Sequence, residues 1–210
     1  MTAFGRPGPR SRRLRGYLKR RDAASPDERA ALDAACMGRL FRRRAVVFTD
    51  CADFTVRTLR DGILHFLMVF HAAVDGVRTV VRRTGGVVVK VEADSLLLVY
   101  DDASRACAGA LAVEAYLRRF NRQRTAHEQA RFSYGIGYGD LLDLEGDIFG
   151  LEVNLASKIG EDLARPGEIL LTPAAASNLS AALKRRLQRH RPVRFHDQSV
   201  AVRRLRASGR

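Results

Sequence analysis

The stretch VVFTDCADFT, Val46–Thr55, decides the fold. An apolar run closes on Thr49 and Asp50, and a second aspartate, Asp53, follows three residues later. β-branched and aromatic residues bounded by turn formers predict a buried strand over Ala45–Thr49. A core strand gains nothing from ending in paired acids. Asp50 is therefore either a turn residue or a ligand, and the choice depends on what the topology brings beside it.

Downstream, Leu59, Ile63, Phe66, Leu67, Phe70, Val74, Val77 and Val81 recur at helical spacing and predict one long helix from Val56 to Arg83. Gly85-Gly86 ends it. Val87–Val91 and Leu96–Tyr100 read as two strands joined by a tight turn at Ala93-Asp94. A second helix, Ala103 to Phe120, and a fourth strand, Arg131 to Tyr138, follow. The order βαββαβ predicts an α+β, ferredoxin-like split sheet with its helices on one face. Right-handed crossover makes the first two strands parallel, with the third antiparallel between them. The end of the first strand and the turn between the second and third then share one sheet edge. Asp50 and Asp94 become neighbours.

Neighbouring carboxylates repel unless a cation lies between them or one takes a proton. Magnesium favours one or two carboxylates together with substrate phosphates. The pair thus points to a metal–nucleotide site, although either aspartate alone reads as an ordinary turn residue. Further on, Val153 to Leu163 predicts a helix in which Asn154 and Lys158, four apart, share a face.

The flanks differ from this body. Residues 1–44 carry 13 Lys or Arg against 4 Asp or Glu, and residues 176–210 carry 10 against 1. Residues 45–175 carry 14 against 18. Residues 1–25, rich in Gly, Pro and Arg, read as loose. A short helix is predicted from Asp27 to Arg43, with Ser25-Pro26 as its start signal. The division is a basic extension (1–44), a central domain (45–175) and a basic helix/strand segment completing it (176–210). Basic flanks can attract nucleic acid, anionic surfaces or an acidic partner. Few aromatics interleave with these arginines, so no specific nucleic-acid binding is expected, only weak binding to anionic surfaces.

No apolar run reaches the roughly 18 residues of a membrane span. No apolar segment follows Ser11-Arg12-Arg13, so these arginines do not read as an export signal. Three scattered cysteines, Cys36, Cys51 and Cys107, form no disulfide or zinc pattern, and a reducing cytoplasm is the expectation.

Three stretches in order carry a family resemblance. Phe48-Thr49-Asp50-Cys51-Ala52-Asp53-Phe54-Thr55 resembles the strand-end F-x-D-x-x-G-F-T of the class III nucleotidyl cyclase catalytic domain, the adenylate and guanylate cyclases. Lys90-Val91-Glu92-Ala93-Asp94 is similar to its K-x-x-G-D. Asp147 through Gly150, Val153, Asn154, Ala156, Ser157 and Lys158 resembles D-x-x-G-x-x-V-N-x-A-S-R, and Arg165-Pro166-Gly167-Glu168 also looks like the family. The resemblance covers residues 45–173.

It implies an adenylate cyclase that forms 3′,5′-cyclic AMP and pyrophosphate from ATP. Asp50, Asp94 and the backbone carbonyl of Cys51 would hold two divalent cations, magnesium or manganese, in two-metal in-line displacement. Lys90 and Asp147 match the family's base-reading pair, and their donor and acceptor suit adenine over guanine. Asn154 would orient the ribose. Lys158 falls where the family has an arginine that steadies charge on phosphorus. Family sites lie between two chains, and this chain carries both halves, so a homodimer is implied. Lys158 keeps the charge without the planar fork. Asp53 and Ala93 stand where the family has glycines, and Glu92 adds an acid.

The alternative is a weak or silent cyclase-like domain that binds nucleotide or dimerises as a regulatory module. A nucleic-acid-binding module on the same kind of sheet needs exposed aromatics on its central strands. The strands VVFTD and LLLVY lack them. Cyclic-dinucleotide synthases need a G-G-[DE]-E-F-like turn, and residues 92–95 read Glu-Ala-Asp-Ser.

Overall fold

The computed structural model describes residues 8–195 and 197–207. Two helices come first, α1 (Pro9–Ala23) and α2 (Pro26–Leu40). The central unit follows as β1 (Phe41–Cys51), α3 (Phe54–Asp61), α4 (Ile63–Arg83), β2 (Val87–Glu92), β3 (Ser95–Tyr100), α5 (Ala103–Asn121) and β4 (Phe132–Asp143). Next are β5 (Ile148–Phe149), α6 (Leu151–Asp162), β6 (Ile169–Leu171), α7 (Pro173–Ser177) and α8 (Ala181–Lys184). Four short strands close the chain: β7 (Leu187–Arg189), β8 (Val193–Phe195), β9 (Gln198–Val200) and β10 (Arg203–Leu205).

The main sheet runs β2-β3-β1-β4-β6-β10-β7, with β5 paired to β4. β3 is antiparallel to both β1 and β2, so those two are parallel, as the handedness rule requires. The C-terminal segment extends the sheet through β10 and β7. β8 and β9 form a separate hairpin.

Alternation along β1 sends Ala45 and Val47 into the main core and Val46 to the other face. α4 and α5 cover the main-core face, where Phe66, Phe70, Val74 and Val77 are buried against Leu96, Leu98 and Ile136. Each such side chain contributes about 1.5–3 kcal/mol when withdrawn from water. The two helices of the βαββαβ unit thus share one face, as expected. α6, outside that unit, packs on the opposite face through Ala156. It comes very close to β4, because a Cβ at Gly135 would lie 1.9 Å from the Ala156 carbonyl oxygen.

Four expectations change. The helix predicted from Val56 to Arg83 is two helices, broken at Gly62 with φ +86°. The break turns Leu59 and Ile63 to solvent, although both fit the helical period. α1 is a helix over Pro9–Ala23, where the composition read as loose; residues 1–7 of that stretch lie outside the described residues. β1 begins at Phe41, because it pairs with β4 along its whole length from Phe41↔Leu142 to Cys51↔Phe132.

α2 starts at the Ser25 capping box with Glu28, close to the predicted start. α4 is long and apolar enough to span a membrane by length and composition, contrary to the sequence expectation. One face of it is buried against the sheet, as in the core helix of a globular domain.

Candidate active site

The predicted juxtaposition is present. Asp50 on β1 is the register partner of Ser95 on β3. The Cys51 N–H donates to the Asp94 carbonyl oxygen at 3.0 Å, which locks the strand end to the β2–β3 turn. Asp50 is half-buried, and burial with the charges of Asp94 and Glu161 pushes its carboxyl up to about 7. Burial also raises Asp94. This is the electrostatic signature of carboxylates gathered without a counter-charge.

The Cys51 side chain lies in the main core and its thiol is pushed up to about 12 by burial. Only its backbone carbonyl is available as a donor. Among the described residues no group of three ligating side chains is close enough to cage a metal alone. Two carboxylates and a carbonyl fit a divalent cation that takes its remaining oxygens from water and substrate phosphates.

Lys90 and Asp147 meet across β2 and the start of β5, with the ammonium 3.9 Å from the carboxylate. Glu92 is nearer to the ammonium, at 2.8 Å. Its hydrogen bond is the main cause of the raised Lys90 value. Asp147 also accepts from the Ile148 N–H at 2.9 Å, which fixes its rotamer. Lys90, Asp94, Asp147 and Asn154 line one cavity of about 460 Å³.

Asp50, Cys51 and Lys158 are the predicted site residues outside that lining: the first two end β1 beside Asp94. Lys158 turns along α6 to an ion pair with Asp162, one helical turn on. The sequence reading missed Ser157 and Glu161, which line the cavity with Asn154. Their spacing of three and seven from Asn154 marks a single helix face and was the available signal.

Both non-glycine substitutions at the family's glycine positions adopt left-handed backbone, Asp53 at φ 65° and Ala93 at φ 50°. Aspartate tolerates this region better than alanine. The charge of Asp53 is met by Arg131 at 2.5 Å, and neither residue lines the cavity.

No protein-family model matches the chain. It is 31% identical over 140 residues to an adenylate cyclase of Streptomyces coelicolor, covering 66% of this chain and 34% of that protein. The chain therefore spans about a third of the length of the curated relative it matches. Its fold is similar to that of an adenylate/guanylate cyclase/hydrolase from Silicibacter pomeroyi, at 20% identity and TM-score 0.65, over 80% of this chain and 99% of that one. An adenylyl cyclase from P. aeruginosa aligns at 19% identity and TM-score 0.64, over 81% and 97%. A guanylate cyclase domain from Catenaria anguillulae, solved with GTP, aligns at 19% and 0.64, over 79% and 96%. The chain has the fold of the class III adenylate and guanylate cyclase catalytic domains. The family resemblance read from its three motifs agrees with the curated adenylate cyclase it matches.

Proposed function

We propose that this chain is a nucleotidyl cyclase that converts ATP to 3′,5′-cyclic AMP and pyrophosphate in a site shared by two copies. The observation that carries this reading is the Lys90–Asp147 pair, facing the same cavity as Asp94 and Asn154. Lys90 donates to the unprotonated ring nitrogen of adenine, and Asp147 accepts from its exocyclic amine. Guanine presents the opposite pattern, a ring N–H and a carbonyl. Each mismatched buried group costs about 1–3 kcal/mol. Names among the relatives include both adenylate and guanylate cyclases, so the preference rests on this chemistry alone.

Asp50, Asp94 and the Cys51 carbonyl hold the cation end. Divalent cations bound there would neutralise triphosphate charge and favour ionisation of the ribose 3′-hydroxyl. Asn154 orients the ribose, and Lys158 supplies positive charge toward the phosphates once it leaves Asp162. In the homodimer, the Asp50–Asp94 half of one copy faces the Lys90–Asp147–Asn154 half of the other.

A nucleotide-binding regulatory module without turnover is the second reading. It is favoured by the Lys158–Asp162 pair and by the closeness of Glu92 to Lys90. The deciding experiment incubates the protein with ATP or GTP and manganese or magnesium, and measures both cyclic products beside Asp50→Ala. Cyclic AMP that disappears in the variant supports the cyclase. A folded dimer that makes neither product with either metal leaves the regulatory reading.

A further inference from the structure

A second cavity, of about 430 Å³, lies between the N-terminal helices and the sheet. Five arginines surround it: Arg10 and Arg13 from α1, Arg39 from α2, and Arg42 and Arg44 from β1. Its floor is apolar, formed by Val89, Val99, Leu141 and Ile148. One carboxylate, Asp143, stands against the five guanidinium groups, and Arg10 pairs with it. Arg44 reaches Asp101 at 3.7 Å, and Arg42 donates to the Phe41 carbonyl at 2.7 Å. Arg13 and Arg39 are exposed and meet no carboxylate among the described residues.

Converging like charges repel, and an anion seated among them relieves that repulsion. A solvated arginine-rich helix face does not account for this arrangement, because the five come from three separate elements. Arg44 is six residues upstream of Asp50 on β1, about 20 Å away at the rise of a strand. The metal-binding end of the sheet therefore does not supply the missing anion.

We propose that this cavity binds an organic phosphate, a phosphomonoester carried on an apolar or aromatic body. The guanidinium fork matches phosphate oxygens two at a time. The apolar floor matches the body of the ligand, and the volume is that of a small-molecule site. A soluble phosphate ester and the head group of an anionic lipid share this chemistry. The assignment does not depend on the chain being a cyclase.

The test titrates the full chain with 1-naphthyl phosphate and with inorganic phosphate by calorimetry. A chelator keeps divalent cations out, so Asp50 and Asp94 take no phosphate. One molecule of naphthyl phosphate is expected per chain, bound at least about fivefold tighter than inorganic phosphate because of the apolar floor. The double variant Arg13→Gln/Arg39→Gln removes two charge-assisted contacts and is expected to weaken binding by about tenfold or more. Both side chains are exposed and meet no carboxylate among the described residues, so the variant is expected to keep its melting temperature. A parallel arm sediments the chain with phosphatidylcholine vesicles containing phosphatidic acid. Sedimentation that naphthyl phosphate competes away and the double variant loses identifies the lipid source. Naphthyl phosphate binding without sedimentation identifies a soluble ligand. No binding, or equal binding by the variant, overturns the proposal. So does vesicle binding that naphthyl phosphate leaves unchanged, which would reflect the basic surface alone.

Discussion

Two turns carry two of the three candidate-site aspartates, and they handle the same backbone problem differently. The β2–β3 turn places Ala93 at φ 50° immediately before Asp94. The β4–β5 turn places Glu145 at φ 47° and Gly146 at φ 98° before Asp147. Each L-residue in left-handed backbone costs about 1–2 kcal/mol. Alanine has no side chain that could recover any of it.

Glu145 recovers part. Its carboxylate accepts from the Arg10 N–H at 2.6 Å, from the Ser11 N–H and from the Ser11 hydroxyl. Those donors are the free N-terminal groups of α1, whose own N-cap, Gly8, makes no side-chain cap. The helix dipole favours the same placement of negative charge. Strain beside Asp147 is thus offset by tertiary contacts. Strain beside Asp94 is not, and the Cys51–Asp94 backbone bond holds it in place.

The comparison breaks most sharply at the aspartates themselves. Asp94→Asn removes one of the two anionic ligands of the proposed cation site, and turnover is expected to fall by about a thousandfold, roughly 4 kcal/mol of barrier. Steady-state cyclic AMP production reads this. Asp147→Asn keeps the turn and replaces an acceptor-only group with one that also donates. The expected effect is about a tenfold loss in the kcat/KM ratio of ATP over GTP, with the cation requirement intact. An unchanged ratio would remove Asp147 from base reading.

Acid–base behaviour marks the end of β1 that the β2–β3 turn is bonded to. In the fold Asp50 ionises at about 7, above the ordinary carboxylate range. Between those values the native chain holds more protons than the unfolded chain, so stability falls as pH rises through 7. A divalent cation removes the cause. Manganese is therefore expected to raise the melting temperature more at about pH 8 than at about pH 5. Equal shifts at both pH values would show that the cation binds elsewhere.

The smallest effect is in the backbone. Ala93→Gly relieves uncompensated left-handed strain and is expected to stabilise the fold by about 0.5–1 kcal/mol. Glu145→Gly relieves the same strain and loses the α1 cap, so denaturant melts should show little net change. Faster amide exchange in α1 should accompany it.

Much of this was legible in the sequence because it is local or topological. The apolar, turn-bounded run Ala45–Thr49, the tight turn at Ala93-Asp94 and the handedness rule together placed Asp50 beside Asp94. What escaped depends on groups distant in the chain. α1 read as loose because its arginines dominate its composition, yet arginine is a good helix former. The cap that fixes α1 comes from Glu145, more than a hundred residues away. The break at Gly62 is hidden by an apolar period that runs straight through it. Glu161 was missed because the family motif ends at Lys158, although the α6 face continues.

The most direct measurement mixes two folded, silent variants, Asp94→Asn and Asn154→Ala. Each lacks one half of the proposed shared site. Random assortment into dimers would leave one intact site in half of them, and about a quarter of wild-type cyclic AMP production is expected on mixing. A mixture as silent as its components would contradict a site built from two copies of this chain.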